Sequence, residues 1–518
     1  MAPRLNAALA VVAVVLIALS LWRLEGQTAD LAIERFDVDG TPATLFRPAA
    51  APAGPLVLIA HGFAGSQQLM QPLAIALARG GFTAVTFDYL GHGRNPHPLT
   101  GDVREPDGAT LSLIRQMEAV AAESLRRARA AGTEASDYAL LGHSMASDIV
   151  VRYAKTHEAV AAVVAVSMFS PEVEAARPPN LLIVVGEWEP RLLQEGWRAL
   201  ALAFPDADAL ERTYGAVADG SARRLVAADG VEHIGVLFSQ EAMRESVAWL
   251  DQAFDGVAAG GLPPEQAAVN RGLWIVLLLL GAVLLARPLA SRLPALGGEP
   301  LGANLTWRQF WPGAVGPAVL TPLLLAPAPT DFLPVLVGDY LALHFLVYGA
   351  LTGAWLYWLR RRRLERQPVR PIPSVKLLAV ALAASLYALL AVGAPADRYV
   401  TNFQLSDLRG SLMLAMVGGV LVFYLADEWL TRGGEAPRGA YWITKLLFLL
   451  SLGGAVAIDP SELFFILILV PVIVPVFLIY GLLSRWTYLR TRHPVPGAIA
   501  SALAVGWAIG VTFPVLSG

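Results

Sequence analysis

Ser144 stands in Gly142-His-Ser144-Met-Ala146, between an apolar run, Tyr138–Leu141, and a helical pattern that starts at Asp148. Strand, tight turn and helix with a serine at the apex form the nucleophile-elbow pattern, whose chemistry is attack on a carbonyl carbon. Small residues two places before and after the serine have a mechanical cause: larger side chains there meet neighbouring backbone. The common pattern has glycine at both places, and here Ala146 takes the second. The turn also sets the serine at a helix N-terminus, where free N–H groups favour developing negative charge. Taken alone, the pentapeptide fits an ordinary helix-capping serine equally well.

A serine nucleophile needs a base, and the base needs an orienting acid. Asp229-Gly-Val-Glu232-His233-Ile-Gly235 follows the short apolar run Arg224–Val226, and a histidine on such a loop reaches a serine hydroxyl. Between the two lies Leu181–Val185, followed by Gly186-Glu187-Trp188-Glu189-Pro190. A carboxylate just past a strand orients an imidazole. Glu189 is the better placed and Glu187 the second choice, while either could instead cap the helix that Pro190 opens. The third need is a pair of N–H donors for an oxyanion. Leu56–Ala60 ends in His61-Gly62-Phe63-Ala64-Gly65-Ser66, a glycine-rich turn that brings backbone N–H groups close, and Met145 in the elbow supplies the other donor.

The elements that must position these residues alternate along Thr28–Phe254. Leu31–Arg35 and Ala43–Arg47 read as a hairpin. Strand-like runs follow at Leu56–Ala60, Phe82–Phe87, Tyr138–Leu141, Val160–Val166, Leu181–Val185 and Arg224–Val226. Helical patterns cover Gln67–Ala78, Thr110–Ala131, Leu192–Phe204 and Gln240–Phe254. Such alternation predicts a parallel sheet covered on both faces, with chemistry at the carboxyl ends of the strands.

Together His61-Gly-Phe, Phe87-Asp-Tyr-Leu-Gly-His-Gly93, Gly142-His-Ser-Met-Ala, Gly186-Glu-Trp-Glu and Glu232-His233 resemble the α/β-hydrolase superfamily over about Ala32–Phe254. The resemblance implies an α/β-hydrolase fold, Ser144 as nucleophile, His233 as base and Glu189 as the third member. It also implies the N–H groups of Phe63 and Met145 as the oxyanion hole; it is much less specific for substrate, and the expected reaction of such a serine is hydrolysis of a carboxylic ester or similar carbonyl compound. His61, Gly62, His143 and Trp188 are the expected substrate-binding residues, and His92 is expected to be structural. Only 167–180 separate Val160–Val166 from Leu181–Val185, so no sizeable lid fits there.

The rest of the chain reads as membrane. Of 518 residues, 55% are apolar and 16% charged, and mean hydropathy is +0.53. Leu5–Trp22 reads as an uncleaved anchor helix. From Asn270 onward about eight apolar runs are long enough to span, which makes about nine with the anchor. The weakest is near Phe310, with Pro312, Pro317 and Pro322. Basic loops, densest at Arg360–Arg363, Arg366, Arg370 and Lys376, alternate with acidic ones near Asp331, Asp397–Asp407 and Asp459–Glu462. The positive-inside rule then predicts a multi-pass protein of a bacterial inner membrane, with the hydrolase-like domain on the periplasmic or extracellular side. The expected domains are 1–27 (anchor), 28–256 (hydrolase-like) and 257–518 (an all-α membrane domain).

Cysteine is absent, which excludes disulfides, thiolate metal sites and a cysteine nucleophile. With no His-Glu-x-x-His, phosphate loop or dinucleotide fingerprint, no metal or cofactor is implied. A net charge of −3 points to no nucleic-acid partner. The expected partners are an ester or lipid-like substrate and the bilayer itself; protein partners are not specified. Two other functions fit the same residues: acyl transfer to an acceptor other than water, or transport by the helices with the outer domain as regulator. The second draws on Asp339, His344, Tyr348, Asp427 and Glu428 within apolar runs. The opposing expectation is that Asp339, Asp427 and Glu428 reach water near the span ends and that Lys445 snorkels.

Overall fold

The computed structural model describes residues 2–103, 105, 108–256, 261–330, 332–362 and 374–517. Asp331, Arg363, Arg366 and Arg370 lie outside the described residues.

The chain forms two compact units. The first holds a nine-stranded sheet in the order β1-β2-β4-β3-β5-β6-β7-β9-β8. Its strands are β1 Leu31–Val38, β2 Thr41–Pro48, β3 Leu56–Ala60, β4 Thr83–Phe87, β5 Tyr138–His143, β6 Val160–Val166, β7 Leu181–Gly186, β8 Thr213–Tyr214 and β9 Arg223–Ala228. β4, β3, β5, β6, β7 and β9 run parallel, while β1, β2 and β8 pair antiparallel at the edges.

The central strands are apolar throughout because both faces are covered. Side chains alternate across a strand. Leu56, Leu58 and Ala60 thus join one core with Leu113, Met117, Ile149 and Val150. These come from α3 Ala109–Ala130 and α4 Met145–Thr156. Val57 and Ile59 join the opposite core with Leu73, Met243 and Trp249, from α2 Gln71–Arg79 and α6 Gln240–Ala253. α5 Pro190–Ala203 follows β7, and α1 Ala2–Gly26 precedes β1. α2 begins four residues later than its apolar pattern predicts. Pro72 is favourable only in a first turn, and Gln67 is held outside the helix by a backbone N–H bond to Asp88 Oδ1 (2.8 Å). The two-residue β8 is too short to leave a periodic signal.

The same unit also takes in two short distant segments, 397–408 and 514–518. Within it, Leu99 N donates to Val515 O (2.8 Å), Val515 N to Gly91 O (3.0 Å) and Ser517 N to Leu99 O (2.8 Å).

Among the described residues, eight helices are long and apolar enough to cross a membrane: Pro3–Gly26, Pro264–Ala290, Gly338–Arg362, Ser374–Tyr399, Asp407–Thr431, Ala440–Ile458, Val472–Thr491 and Pro494–Thr512. The weakest expected span is also a helix, Trp307–Leu325, but its three prolines and polar first turn keep it out of that set. In the second unit, Gly338–Arg362 and Gly410–Thr431 cross closely. A Cβ on Gly419 would lie 2.3 Å from Ala342 O, and one on Gly349 would lie 2.5 Å from the Phe423 backbone.

The polar groups within the apolar helices differ from expectation. Asp427, Glu428 and Lys445 are buried rather than near water. Lys445 Nζ bonds Asp427 Oδ2, while Glu428 receives Arg432 Nε (2.7 Å) and Ser484 Oγ (2.6 Å). Pairing within the protein replaces hydration, since a buried charge without a partner is costly. Asp339 is likewise buried, and its carboxylate accepts Tyr340 N–H (2.8 Å).

Candidate active site

β5 delivers Ser144 to its carboxyl end with φ +54° and ψ −120°. A non-glycine residue there costs about 1–3 kcal/mol, which the flanking strand and helix must offset. Gly142 shows why the turn needs a small residue: a Cβ there would lie 2.5 Å from Ala146 O. Ala146 itself is buried without such a clash, so one methyl fits at the second flank. Ser144 sits at the N-cap of α4, but its side chain makes no capping bond. Its Oγ lies 2.9 Å from His233 Nε2 instead.

His233 follows β9 on a loop tied down at several points. Gly230 N donates to Glu187 Oε2 (2.8 Å) and Trp188 N to Val231 O (3.1 Å). Glu232 accepts the N–H groups of Ile234 and Gly235, both at 2.9 Å. His233 Nδ1 lies 2.6 Å from Glu189 Oε1. Glu189, at the N-cap of α5, makes no side-chain cap either. Its other oxygen, Oε2, accepts Ser167 Oγ–H (2.6 Å) and Gly186 N–H (2.8 Å). The carboxylate is thus buried but fully bonded, while the His233 side chain keeps 21% of its surface exposed. Of the two sequence candidates, Glu189 meets the imidazole, while the exposed Glu187 bonds the backbone of the histidine loop.

A hydroxyl on an imidazole on a carboxylate lets the serine lose its proton as it attacks. Gly62 packs against the elbow: a Cβ there would lie 3.0 Å from Ser144 Cβ and from His143 O. Phe63 and Met145, the expected oxyanion donors, directly follow Gly62 and Ser144 in the chain and are both partly exposed.

Two expected substrate-binding residues are buried. His61 donates from Nδ1 to Gly62 O (2.8 Å) and accepts Tyr89 N–H at Nε2 (3.1 Å). Both ring nitrogens thus serve backbone, and the ring braces the turn rather than facing a ligand. His143 Nε2 lies 2.9 Å from His233 O, and its Nδ1 has no hydrogen-bond partner among the described residues. A carbonyl only accepts, so Nε2 carries the proton and His143 is a strut under the His233 backbone. Trp188 is 64% exposed and Phe169, just past β6, is 62% exposed; these aromatics are open to a ligand. His92 is buried, with Nδ1 2.8 Å from Leu90 O, in line with a structural role.

Sequence reasoning misses Ser167. Its only signal is a small polar residue directly after β6, at the sheet edge where the chemistry gathers. Removing a hydrogen bond to a charged group costs about 1.5–3 kcal/mol. Ser167→Ala is therefore expected to lower kcat about tenfold with KM unchanged, in steady-state kinetics.

Burial, reinforced by the nearby His233 charge, pushes the His143 pKa well below its ordinary value. Burial also lowers His61, against the opposing pull of Asp88. The unfolded chain takes up protons at these imidazoles below about pH 6.5, where the folded chain does not. Their stability penalty is absent above about that pH and grows as pH falls from it toward the folded values. The melting temperature should fall from about pH 7 to about pH 5.5, with a shallower slope in His143→Gln. An identical slope in the variant would remove His143 from the explanation.

The model of the family "Serine aminopeptidase, S33" matches residues 51–213. No curated protein matches the chain at a significant level. Similar solved structures include TT1662 from Thermus thermophilus, at 20% identity and TM-score 0.32, covering 43% of this chain and 98% of that one. Another is dienelactone hydrolase from Anabaena variabilis ATCC 29413, at 16% identity and TM-score 0.31, covering 43% of this chain and 97% of that one. With a mostly parallel sheet flanked by helices, a serine elbow after β5 and a hydrolase-family match over residues 51–213, the sheet-bearing part of this chain is an α/β-hydrolase domain.

Proposed function

We propose that the domain is a serine hydrolase that cleaves a carboxylic ester. The observation that carries this reading is the hydrogen-bonded line from Ser144 Oγ through His233 to Glu189, with spacings of 2.9 and 2.6 Å. In the proposed cycle His233 Nε2 takes the Ser144 proton as Oγ bonds the ester carbonyl carbon. The oxyanion then lies toward the N–H groups of Phe63 and Met145. Its collapse breaks the carbonyl–alkoxy bond, and His233 gives its proton to the leaving alcohol. Water then attacks the acyl-enzyme, losing its proton to His233, and the acid departs as Ser144 regains its hydrogen.

The substrate class follows from the surroundings. Only residues 167–180 join β6 to β7, and Phe169 and Trp188 stand exposed past those strands. Apolar helices Pro3–Gly26 and Pro264–Ala290 flank the domain in sequence. An amphiphilic ester, lipid-like or envelope-associated, fits an unlidded apolar rim on a membrane-tethered domain, and the positive-inside pattern favours the periplasmic or extracellular side for that domain.

The test is hydrolysis of p-nitrophenyl esters of increasing acyl length by the full chain in detergent. Turnover that improves with chain length is expected. A higher kcat/KM on aminoacyl p-nitroanilides than on any ester would move the reading to amide substrates.

A further inference from the structure

The segment 397–408, between two apolar helices, belongs to the same compact unit as the sheet. It meets the turn that follows β3. That turn is closed by Gly65 N–H on Gly62 O (3.1 Å) and leads into Ser66, which is fully buried. Ser66 Oγ accepts Asn402 N–H (3.1 Å) and lies 3.3 Å from Thr401 Oγ1. The buried Asn402 amide donates from Nδ2 to Gly93 O (3.0 Å) and to Gln404 O (3.2 Å). One residue on, Arg94 N donates to Asp88 Oδ2 (3.1 Å). The other side of Asp88 takes Gln67 N–H (2.8 Å), and Gln67 adjoins Ser66. Asp88, Gln67, Ser66, Asn402, Gly93 and Arg94 thus form a closed ring. A second tie runs outside it, from Arg94 Nη2 to Asp397 Oδ2 (2.9 Å).

We infer that Asn402, with Thr401, is a positioning residue for the oxyanion turn, acting through Ser66 and Gly93 on the Gly62–Phe63 peptide. The inference rests on the serine-hydrolase reading above. An oxyanion donor must be in place before charge develops, so slack in a ring that closes the turn is felt in the transition state rather than in binding. The ring is completed by a residue more than three hundred positions from Gly93, on a segment whose two ends continue into apolar helices. The turn's geometry therefore depends on a part of the chain that the hydrolase-like region does not itself contain.

A thionoester develops charge on sulfur, which an oxyanion hole fits poorly, so the oxo-to-thiono rate ratio reports the hole itself. The experiment compares a p-nitrophenyl ester with its thiono analogue, using the full chain in detergent. Rates are normalised to the serine titrated by a fluorophosphonate. Asn402→Ala should lower kcat for the oxo ester about tenfold, hold KM within about twofold and leave the thiono rate nearly unchanged. Thr401→Val, a milder change, should shift the ratio in the same direction by about twofold to threefold, and it serves if Asn402→Ala does not fold. Equal loss on both substrates, or an unchanged ratio in both variants, overturns the inference and leaves the serine-hydrolase reading standing. A wild type without a titratable serine overturns both.

Discussion

Ser144→Ala is expected to lower kcat for ester hydrolysis by about ten-thousandfold or more and to abolish fluorophosphonate labelling. The size follows from the geometry. Ser144 Oγ lies 2.9 Å from His233 Nε2, so the alanine variant keeps the imidazole and the turn but has no oxygen to form the acyl bond. Water activated by His233 is the remaining route, and it lacks the fixed position of a residue held at the elbow. Stability should change by no more than about 1.5 kcal/mol, because Ser144 Oγ makes no capping bond and the substitution removes its hydrogen bond to the partly exposed His233. Labelling that survives in Ser144→Ala would move the nucleophile elsewhere in the chain.

Glu189→Gln is expected to lower kcat about a thousandfold to ten-thousandfold, whereas Glu187→Gln should stay within about threefold of wild type. In the wild type, Glu189 Oε2 receives two donors, Ser167 Oγ–H and Gly186 N–H. In the variant these donors hold the amide oxygen at that position, so the amide NH2 faces His233 Nδ1. The imidazole must then accept at Nδ1 and carry its proton on Nε2, the wrong tautomer to take a proton from Ser144. The Glu187→Gln variant, in contrast, still offers an amide oxygen to Gly230 N–H, the bond through which the Glu187 side chain holds the histidine loop. Steady-state kinetics of both variants on one p-nitrophenyl ester checks the pair. Equal losses would remove the distinction between the two acids.

Much of this site is legible in the chain because its parts are local. An apolar run ending in a glycine two residues before a serine encodes strand and turn within ten residues. His233 and Glu189 each follow such a run. The choice between Glu187 and Glu189 stays open in the sequence because nearby positions on a loop point apart, and only backbone geometry decides which one meets the imidazole. His61 and His143 read as ligand-facing because their place beside the site is encoded, while the direction of their rings is not. Ser167 and Asn402 escape for another reason. Each acts through hydrogen bonds across a large sequence separation, and one small polar residue leaves no periodic trace. The buried Asp427–Lys445 pair shows the same limit, since hydropathy registers two charges but not that they meet.

The most direct measurement is to trap the acyl-enzyme. The full chain in detergent is mixed with a p-nitrophenyl ester, quenched in acid within the first turnover, digested and read by mass spectrometry. The proposed mechanism predicts the mass of one acyl group on the peptide that contains Ser144, formed together with a burst of p-nitrophenol. A burst with the acyl mass on any other residue, or hydrolysis with no covalent adduct while His233 and Glu189 remain essential, would contradict it.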